Sequence, residues 1–192
     1  YKRQQMSSLF QSNLEGSDLS NFPLEVAYGS KLTLKNMAYG GGLLHSHIQT
    51  YPEGSHDHQV TCYHHKDENN HFIISPTYED PPLPAADENI DEPPRMLKSG
   101  DVLRLVHQQL QTNLRSEAIP APITKEAHEV GCRASEKGAD SSEYWIVEVL
   151  RDVHLGPGRP GMPIRTLSST LRLRHKELGC YPVSYTHLTL PT

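Results

Sequence analysis

The order of apolar and polar positions repeats one motif three times. A turn pair leads into an apolar-polar-apolar run, and a polar residue follows two positions later. The copies are Gly29-Ser30-Lys31-Leu32-Thr33-Leu34-Lys35-Asn36, Gly100-Asp101-Val102-Leu103-Arg104-Leu105-Val106-His107 and Ser168-Ser169-Thr170-Leu171-Arg172-Leu173-Arg174-His175. Their first residues lie 71 and then 68 positions apart (29 to 100, 100 to 168). Alternation of period two over 31–35 and 170–174 is the pattern of half-buried strands. A near-constant offset marks a repeated supersecondary unit that buries a shared core. Apolar stripes of helical period are scarce. Residues 103–110 could pass for a short helix, but their place in the repeat predicts strand.

More of each unit aligns than its first strand. Leu44-His45-Ser46-His47 has its counterpart in Leu114-Arg115-Ser116-Glu117, and Gln59-Val60-Thr61-Cys62 in Glu129-Val130-Gly131-Cys132. Each copy then closes on an aromatic and β-branched run, Phe72-Ile73-Ile74 and Trp145-Ile146-Val147. Each unit is thus predicted to hold about four short strands. Three such units predict an all-β fold, a β-trefoil whose third repeat is truncated. Closing a barrel removes the strand edges that otherwise invite aggregation. A propeller would need more repeats, and a sandwich leaves the threefold recurrence unexplained.

The expected organisation follows from this. Residues 1–25 form a lead-in and 26–181 the trefoil, with repeats at about 26–75, 96–152 and 162–181, the last incomplete. Residues 76–95 hold prolines 76, 81, 82, 84, 93 and 94 and acids 79, 80, 87, 88, 91 and 92. Proline stiffness and charge predict a solvated excursion between repeats there. The run Gly156-Pro157-Gly158-Arg159-Pro160-Gly161 is a second loop. Residues 182–192 continue no repeat and read as adapter-derived sequence, so they are set aside from the fold. A start at Tyr1 and a break inside repeat three read as an internal piece of a longer protein.

Bulk properties narrow the partners. The chain has 192 residues, enough for one domain with a core, and a net charge of −5, which gives nucleic acid or anionic lipid no attraction. No apolar run approaches the ~20 residues of a membrane span. Cys62 and Cys132 fall at equivalent repeat positions. They read as small buried core residues, with a disulfide between them as the alternative. Cys180 has no repeat partner, and an odd count leaves the redox compartment open.

The combined run Tyr28-Gly29-Ser30, Gly40-Gly41-Gly42-Leu43-Leu44-His45-Ser46-His47, Tyr51-Pro52-Glu53-Gly54-Ser55, Gln59-Val60-Thr61-Cys62-Tyr63 and His65-Lys66-Asp67-Glu68-Asn69-Asn70 resembles the MIR region of protein O-mannosyltransferases. So do Arg104-Leu105-Val106-His107 with Thr112-Asn113-Leu114, and Leu173-Arg174-His175-Lys176-Glu177-Leu178-Gly179-Cys180-Tyr181. The lead-in from Met6 to Gly16 resembles the stretch before that region, which speaks against a soluble chaperone-associated MIR protein. One departure is His56-Asp57-His58-Gln59, where the family commonly carries a Gln run.

The resemblance implies a lumenal accessory β-trefoil between membrane helices of an endoplasmic reticulum glycosyltransferase. That enzyme transfers mannose from dolichyl phosphate mannose to Ser or Thr of secretory proteins. Its catalytic acid lies in an earlier loop, so no catalytic residue and no cofactor is expected within this chain. The donor belongs to the parent enzyme. Expected partners are acceptor proteins and a second mannosyltransferase subunit.

Three readings of the polar motifs stay open. Repeat one carries seven of the twelve histidines (45, 47, 56, 58, 64, 65, 71), and imidazoles are common metal ligands. No carboxylate or cysteine stands at ligand spacing, however, so no metal site is assigned. A second reading is a shallow glycan or peptide pocket, with His45, Ser46, His47, Arg115 and Ser116 facing hydroxyls and Tyr51 stacking on a sugar face. The third is that His45 and Ser46 satisfy backbone groups in a tight loop. Asn36, His107 and His175 share one slot and predict a structural hydrogen bond. Gly40-Gly41-Gly42 lacks the Lys-Ser/Thr of a phosphate loop and predicts a turn with positive φ. Asp67-Glu68 reads as a solvated turn.

Overall fold

The structure is a computed structural model that describes residues 24–37, 41–84, 93–135, 141–184 and 188–191. Most of the lead-in, and part of the segment after Pro84, lie outside the described residues. Strands in chain order are β1 (Lys31–Leu32), β2 (Leu43–Thr50), β3 (His58–Tyr63), β4 (Phe72–Ser75), β5 (Val102–His107), β6 (Thr112–Pro120), β7 (Ala127–Arg133), β8 (Trp145–Asp152), β9 (Gly156–Pro157), β10 (Ser169–His175), β11 (Val183–Ser184) and β12 (Leu188–Pro191). The 103–110 region is strand over β5, as the repeat predicts. Repeat one supplies β1–β4, repeat two β5–β8, and repeat three β10. The fold is an all-β trefoil.

The barrel wall runs β1, β4, β5, β8, β10, each strand antiparallel to the next. Two hairpins cap it. In the first, Leu44 pairs with Cys62 and Ser46 with Val60. In the second, Leu114 pairs with Cys132 and Ser116 with Val130. The hairpins join where His58 pairs with Cys132 and Gln59 with Gly131.

The threefold plan is most visible along the axis. Val26 N–H donates to the Ile164 carbonyl (2.8 Å), Ile164 N–H to Leu97 (3.2 Å), and Leu97 N–H to Val26 (2.8 Å). This closed ring of backbone bonds links the three repeats at one end of the barrel. Above it, Leu32, Leu103 and Leu171 form one set of inward side chains, and Leu34, Leu105 and Leu173 another, around a central apolar hollow. The alternation that defined the motif places these leucines inward, because successive strand side chains point to opposite faces. Full burial of Leu103 and Leu105 gives about 1.5–3 kcal/mol each, and the partly buried Leu32, Leu34, Leu171 and Leu173 gain less.

Val26, Leu97 and Ile164 stand 71 and 67 residues apart, whereas Leu103 and Leu171 stand 68 apart. Repeat three therefore carries one extra residue in its entry turn. Ser30 and Asp101 donate their N–H three residues back, to Ala27 and Lys98, but Ser169 donates four residues back, to Arg165. The extra residue leaves Leu167 at φ 58, a conformation that costs a residue with a Cβ about 1–2 kcal/mol.

The structure adds detail at three places. The stretch after β4 is not wholly a solvated excursion: Pro76 and Thr77 are buried, and Leu83 packs on the core. Its polar groups are satisfied locally, since Asp80 Oδ2 accepts from the Thr77 amide (3.1 Å) and hydroxyl (2.8 Å). Asp67 and Glu68 form the solvated turn expected, and it is an ordered one. Asp67 caps a 3-10 turn over Glu68–Asn70, its carboxylate accepting from Asn69 N–H (2.9 Å) while Asn70 Oδ1 accepts from Asp67 N–H (2.7 Å). Lastly, the tail set aside as adapter-like is paired, with Leu190 opposite His128 of β7.

All three cysteines are free thiols. Burial pushes the Cys132 thiol up to about 12. Gly41 takes φ 74, as the glycine run predicts. Gly42 is glycine because a Cβ there would lie 2.6 Å from Cys62 Sγ.

Candidate functional site

The polar motif of each repeat sits at the start of a hairpin strand, and the two copies differ in how far they reach the surface. His45 on β2 is 5 % exposed. Asn70 Nδ2 donates to its Nδ1 (3.2 Å), and Asp67 Oδ1 lies 3.5 Å away. Burial lowers the His45 pKa, and Asp67 partly opposes that. His47, on the same face of β2 and half-buried, accepts the Gln49 N–H at Nδ1 (3.2 Å).

The rings of His47, His45, Tyr63 and His65 follow one another with centroid separations of 5.5, 4.6 and 5.4 Å. Tyr63 is 39 % exposed. Tyr63 thus offers a solvent-facing ring able to stack on an apolar face, and the part-exposed Asp67 carboxylate can accept from a hydroxyl, while His45 and Asn70 lie buried beneath.

The other predicted contact residues are turned inward. Ser46 is fully buried beside the Cys132 thiol. Tyr51 is 2 % exposed and donates its hydroxyl to the Val130 carbonyl (3.0 Å). Its phenol is pushed up to about 12 by burial, and its ring offers no face to a sugar. Ser116 is buried and donates to the Glu129 carbonyl (2.7 Å).

Arg115 is 1 % exposed. It pairs with Glu117 (2.5 Å) and lies 3.9 Å from Asp57. Asp57 is also 3.6 Å from Arg133. This charge group fastens the loop after β2 to the second hairpin. Breaking such a buried set by removing one member leaves an uncompensated charge. Tyr51, Ser46 and Ser116 thus act as fasteners, and the repeat position that holds a ring-stacked His45 in one copy holds an ion-paired Arg115 in the other.

Sequence reasoning missed Tyr63 and the roles of Asp67 and Asn70. The usable signal was the capping sequence Asp67-Glu68-Asn69-Asn70, which fixes a turn and aims Asn70 inward.

A second polar group belongs to repeat two. Tyr78 donates to Glu143 Oε2 (2.8 Å), Ser135 Oγ to the same carboxylate (3.0 Å), and the Arg104 guanidinium lies 3.9 Å over the Tyr78 ring. Among the described residues no group of three His, Cys, Asp or Glu is placed to hold a metal ion. No described helix is long and apolar enough to cross a membrane.

The shared slot of the threefold motif is structural where it is filled by histidine. His107 Nε2 meets the Asn69 carbonyl (3.0 Å) and its Nδ1 accepts from Leu110 N–H (3.2 Å). His175 repeats this with the Ser142 carbonyl (2.9 Å) and Leu178 N–H (3.1 Å).

The MIR domain family pattern matches residues 42–192. The chain belongs to the MIR domain family. This MIR domain is 40 % identical over 187 residues to dolichyl-phosphate-mannose–protein mannosyltransferase 2 of Candida albicans, covering 97 % of the chain and 24 % of that protein. It is 38 % identical to protein O-mannosyl-transferase 2 of Danio rerio, covering 91 % of the chain and 22 % of that protein. In three dimensions it is similar to a structure of the S. cerevisiae protein O-mannosyltransferase Pmt1-Pmt2 complex bound to the sugar donor. The TM-score is 0.74 at 27 % identity, over 96 % of this chain and 26 % of that one. The MIR domain therefore spans about a quarter of the length of the mannosyltransferases it matches.

Proposed function

We propose that this MIR domain is the non-catalytic accessory part of a protein O-mannosyltransferase and retains acceptor protein or mannosylated product near an active site formed elsewhere in the enzyme. The parent moves mannose from dolichyl phosphate mannose to Ser or Thr hydroxyls, sits in the endoplasmic reticulum membrane with this domain in the lumen, and works beside a second mannosyltransferase subunit. The relatives' names and the paired Pmt1-Pmt2 assembly support that reading. Retention raises the local acceptor concentration without new chemistry. A shallow polar surface predicts weak affinity.

The observation that carries ligand binding is the ring run on the first hairpin, with Tyr63 exposed and Asp67 and Asn70 beside His45. Half-buried His47 and exposed Tyr63 are the rings a ligand would reach, Tyr63 in the stacking role first given to Tyr51, while buried His45 positions them. Titrating the domain with a mannosylated Ser/Thr peptide, followed by NMR, tests this. Shifts are expected at 43–50 and 61–67, and Tyr63→Ala is expected to abolish them without unfolding the domain. A purely structural module is favoured instead by the inward placement of Ser46, Tyr51, Arg115 and Ser116. Absence of shifts at millimolar peptide would establish that second reading.

A further inference from the structure

The entry turn of every repeat holds a residue of positive φ, and in one copy that residue is not glycine. Gly29 (φ 86) and Gly100 (φ 101) stand there in repeats one and two. In repeat three, where the turn is one residue longer, Leu167 (φ 58) stands there instead. Leu167 is 51 % exposed, so core packing does not account for a leucine at this place. Backbone strain without a packing role is a mark of functional surface.

Leu167 does not stand alone. Val153 N–H donates to the Ser168 carbonyl (3.1 Å), and Thr166 N–H donates to the Leu24 carbonyl (2.8 Å). The β8–β9 turn, the entry turn and the start of the barrel therefore share one end of the fold, and Leu24, Val153, Leu155 and Leu167 are all exposed on it. Buried Asp152 fastens this end. Its Oδ1 accepts from the His154 and Leu155 amides (2.9 and 3.0 Å), its Oδ2 accepts from the Ser169 hydroxyl (2.8 Å), and the Arg165 guanidinium lies 3.7 Å away. The aliphatic side chains are thus displayed on a fixed platform.

We infer that this end of the barrel docks on the surface of an anionic lipid bilayer, with Val153, Leu155 and Leu167 entering the headgroup boundary and Arg151 and Arg159 meeting lipid phosphates. Charge supports a bilayer. Between residues 150 and 168 three arginines, Arg151, Arg159 and Arg165, stand against one carboxylate, Asp152, which is buried. Arg151 and Arg159 are exposed, and exposed Lys98 lies opposite Pro163. Glu25, opposite Arg165, is the exposed acid beside them. The net charge of −5 hides this patch, because attraction to a surface depends on the charges that face it. The side chains favour lipid over protein. Residues 150–168 contain no phenylalanine, tyrosine or tryptophan, whereas protein interfaces are anchored by aromatic residues and use Leu and Val less. Aliphatic tips flanked by arginine suit a bilayer boundary, where binding grows with buried apolar area and with attraction to acidic headgroups.

Flotation of the 192-residue chain with vesicles tests the surface. The chain should float with equimolar phosphatidylcholine and phosphatidylserine, and far less with phosphatidylcholine alone, and added salt should release it. Arg151→Gln should weaken binding on the order of fivefold. Val153→Ser combined with Leu167→Gly should weaken it on the order of tenfold or more. Leu167→Gly relieves the positive φ, so a melting temperature measured alongside separates lost binding from lost folding. Absence of flotation with the acidic vesicles would overturn the inference, and so would full binding by the double variant. A dimer of the chain that the same two substitutions dissociate would also overturn it, since a second copy would then cover the patch.

Discussion

Replacing His107 with leucine should destabilise the domain by about 3 kcal/mol and remove part of its acid sensitivity. The ring is fully buried and both its nitrogens are in use. The Leu110 amide can only donate, so Nδ1 is the acceptor and Nε2 carries the hydrogen given to the Asn69 carbonyl. His107→Leu keeps an apolar side chain of similar reach against Phe72 but orphans one part-buried N–H and one part-buried C=O. A buried polar group left unpaired costs about 1–3 kcal/mol, so two partly relaxed orphans sum to about 3 kcal/mol out of a typical 5–15.

The pH dependence has a definite sign. Burial lowers the His107 pKa, and the Asn69 bond only partly opposes that. The unfolded chain, with imidazoles near ~6.5, thus takes up a proton before the folded one. Stability is complete above that pH. It falls as pH drops toward the folded-state value, by at most about 1.4 kcal/mol per pH unit for this residue. Urea unfolding at pH 7.5 and pH 5.5 checks both parts. Trp145, the sole tryptophan and fully buried, reports the transition by fluorescence. The leucine variant should show a smaller loss of stability between the two pH values, with the slope from His45, also lowered by burial, remaining. A variant within about 0.5 kcal/mol of the parent, or one with an unchanged pH dependence, would refute the assignment.

Two further outcomes follow from local geometry. Leu167→Gly should stabilise the domain by roughly 0.5 kcal/mol, the relief of positive φ outweighing glycine's greater unfolded-state freedom. Leu167 is exposed, so little packing is lost, and a lowered melting temperature would count against the strained-turn account. For the cysteines, a thiol reagent at pH 8 should label Cys62 and Cys180, which are partly accessible, while Cys132 reacts only after denaturation. Rapid labelling of all three in the folded domain would contradict the burial of Cys132.

Much of the fold was legible because strand alternation and the repeat offset are local properties of the chain. The Leu-x-Leu positions had to share a face, and their threefold recurrence had to serve one core. The His107 and His175 slot was readable for the same reason, as a repeated position with a repeated task. The candidate site was less legible. Ser46 and Ser116 look like ligand contacts in sequence, yet each lies opposite a valine in its hairpin and points inward. Tyr51 looks like an exposed stacking ring, but its hydroxyl reaches a carbonyl 79 residues away.

The sequence by itself determined the repeating unit, the inward leucines and the resemblance to MIR domains, since these depend on spacing along one chain. Only the tertiary structure decided which polar side chains remain at the surface and how Arg115 and Asp57 fasten the hairpins. Burial of a polar group depends on partners from distant segments, and no pattern of neighbours in sequence specifies which carbonyl or carboxylate will arrive to meet it.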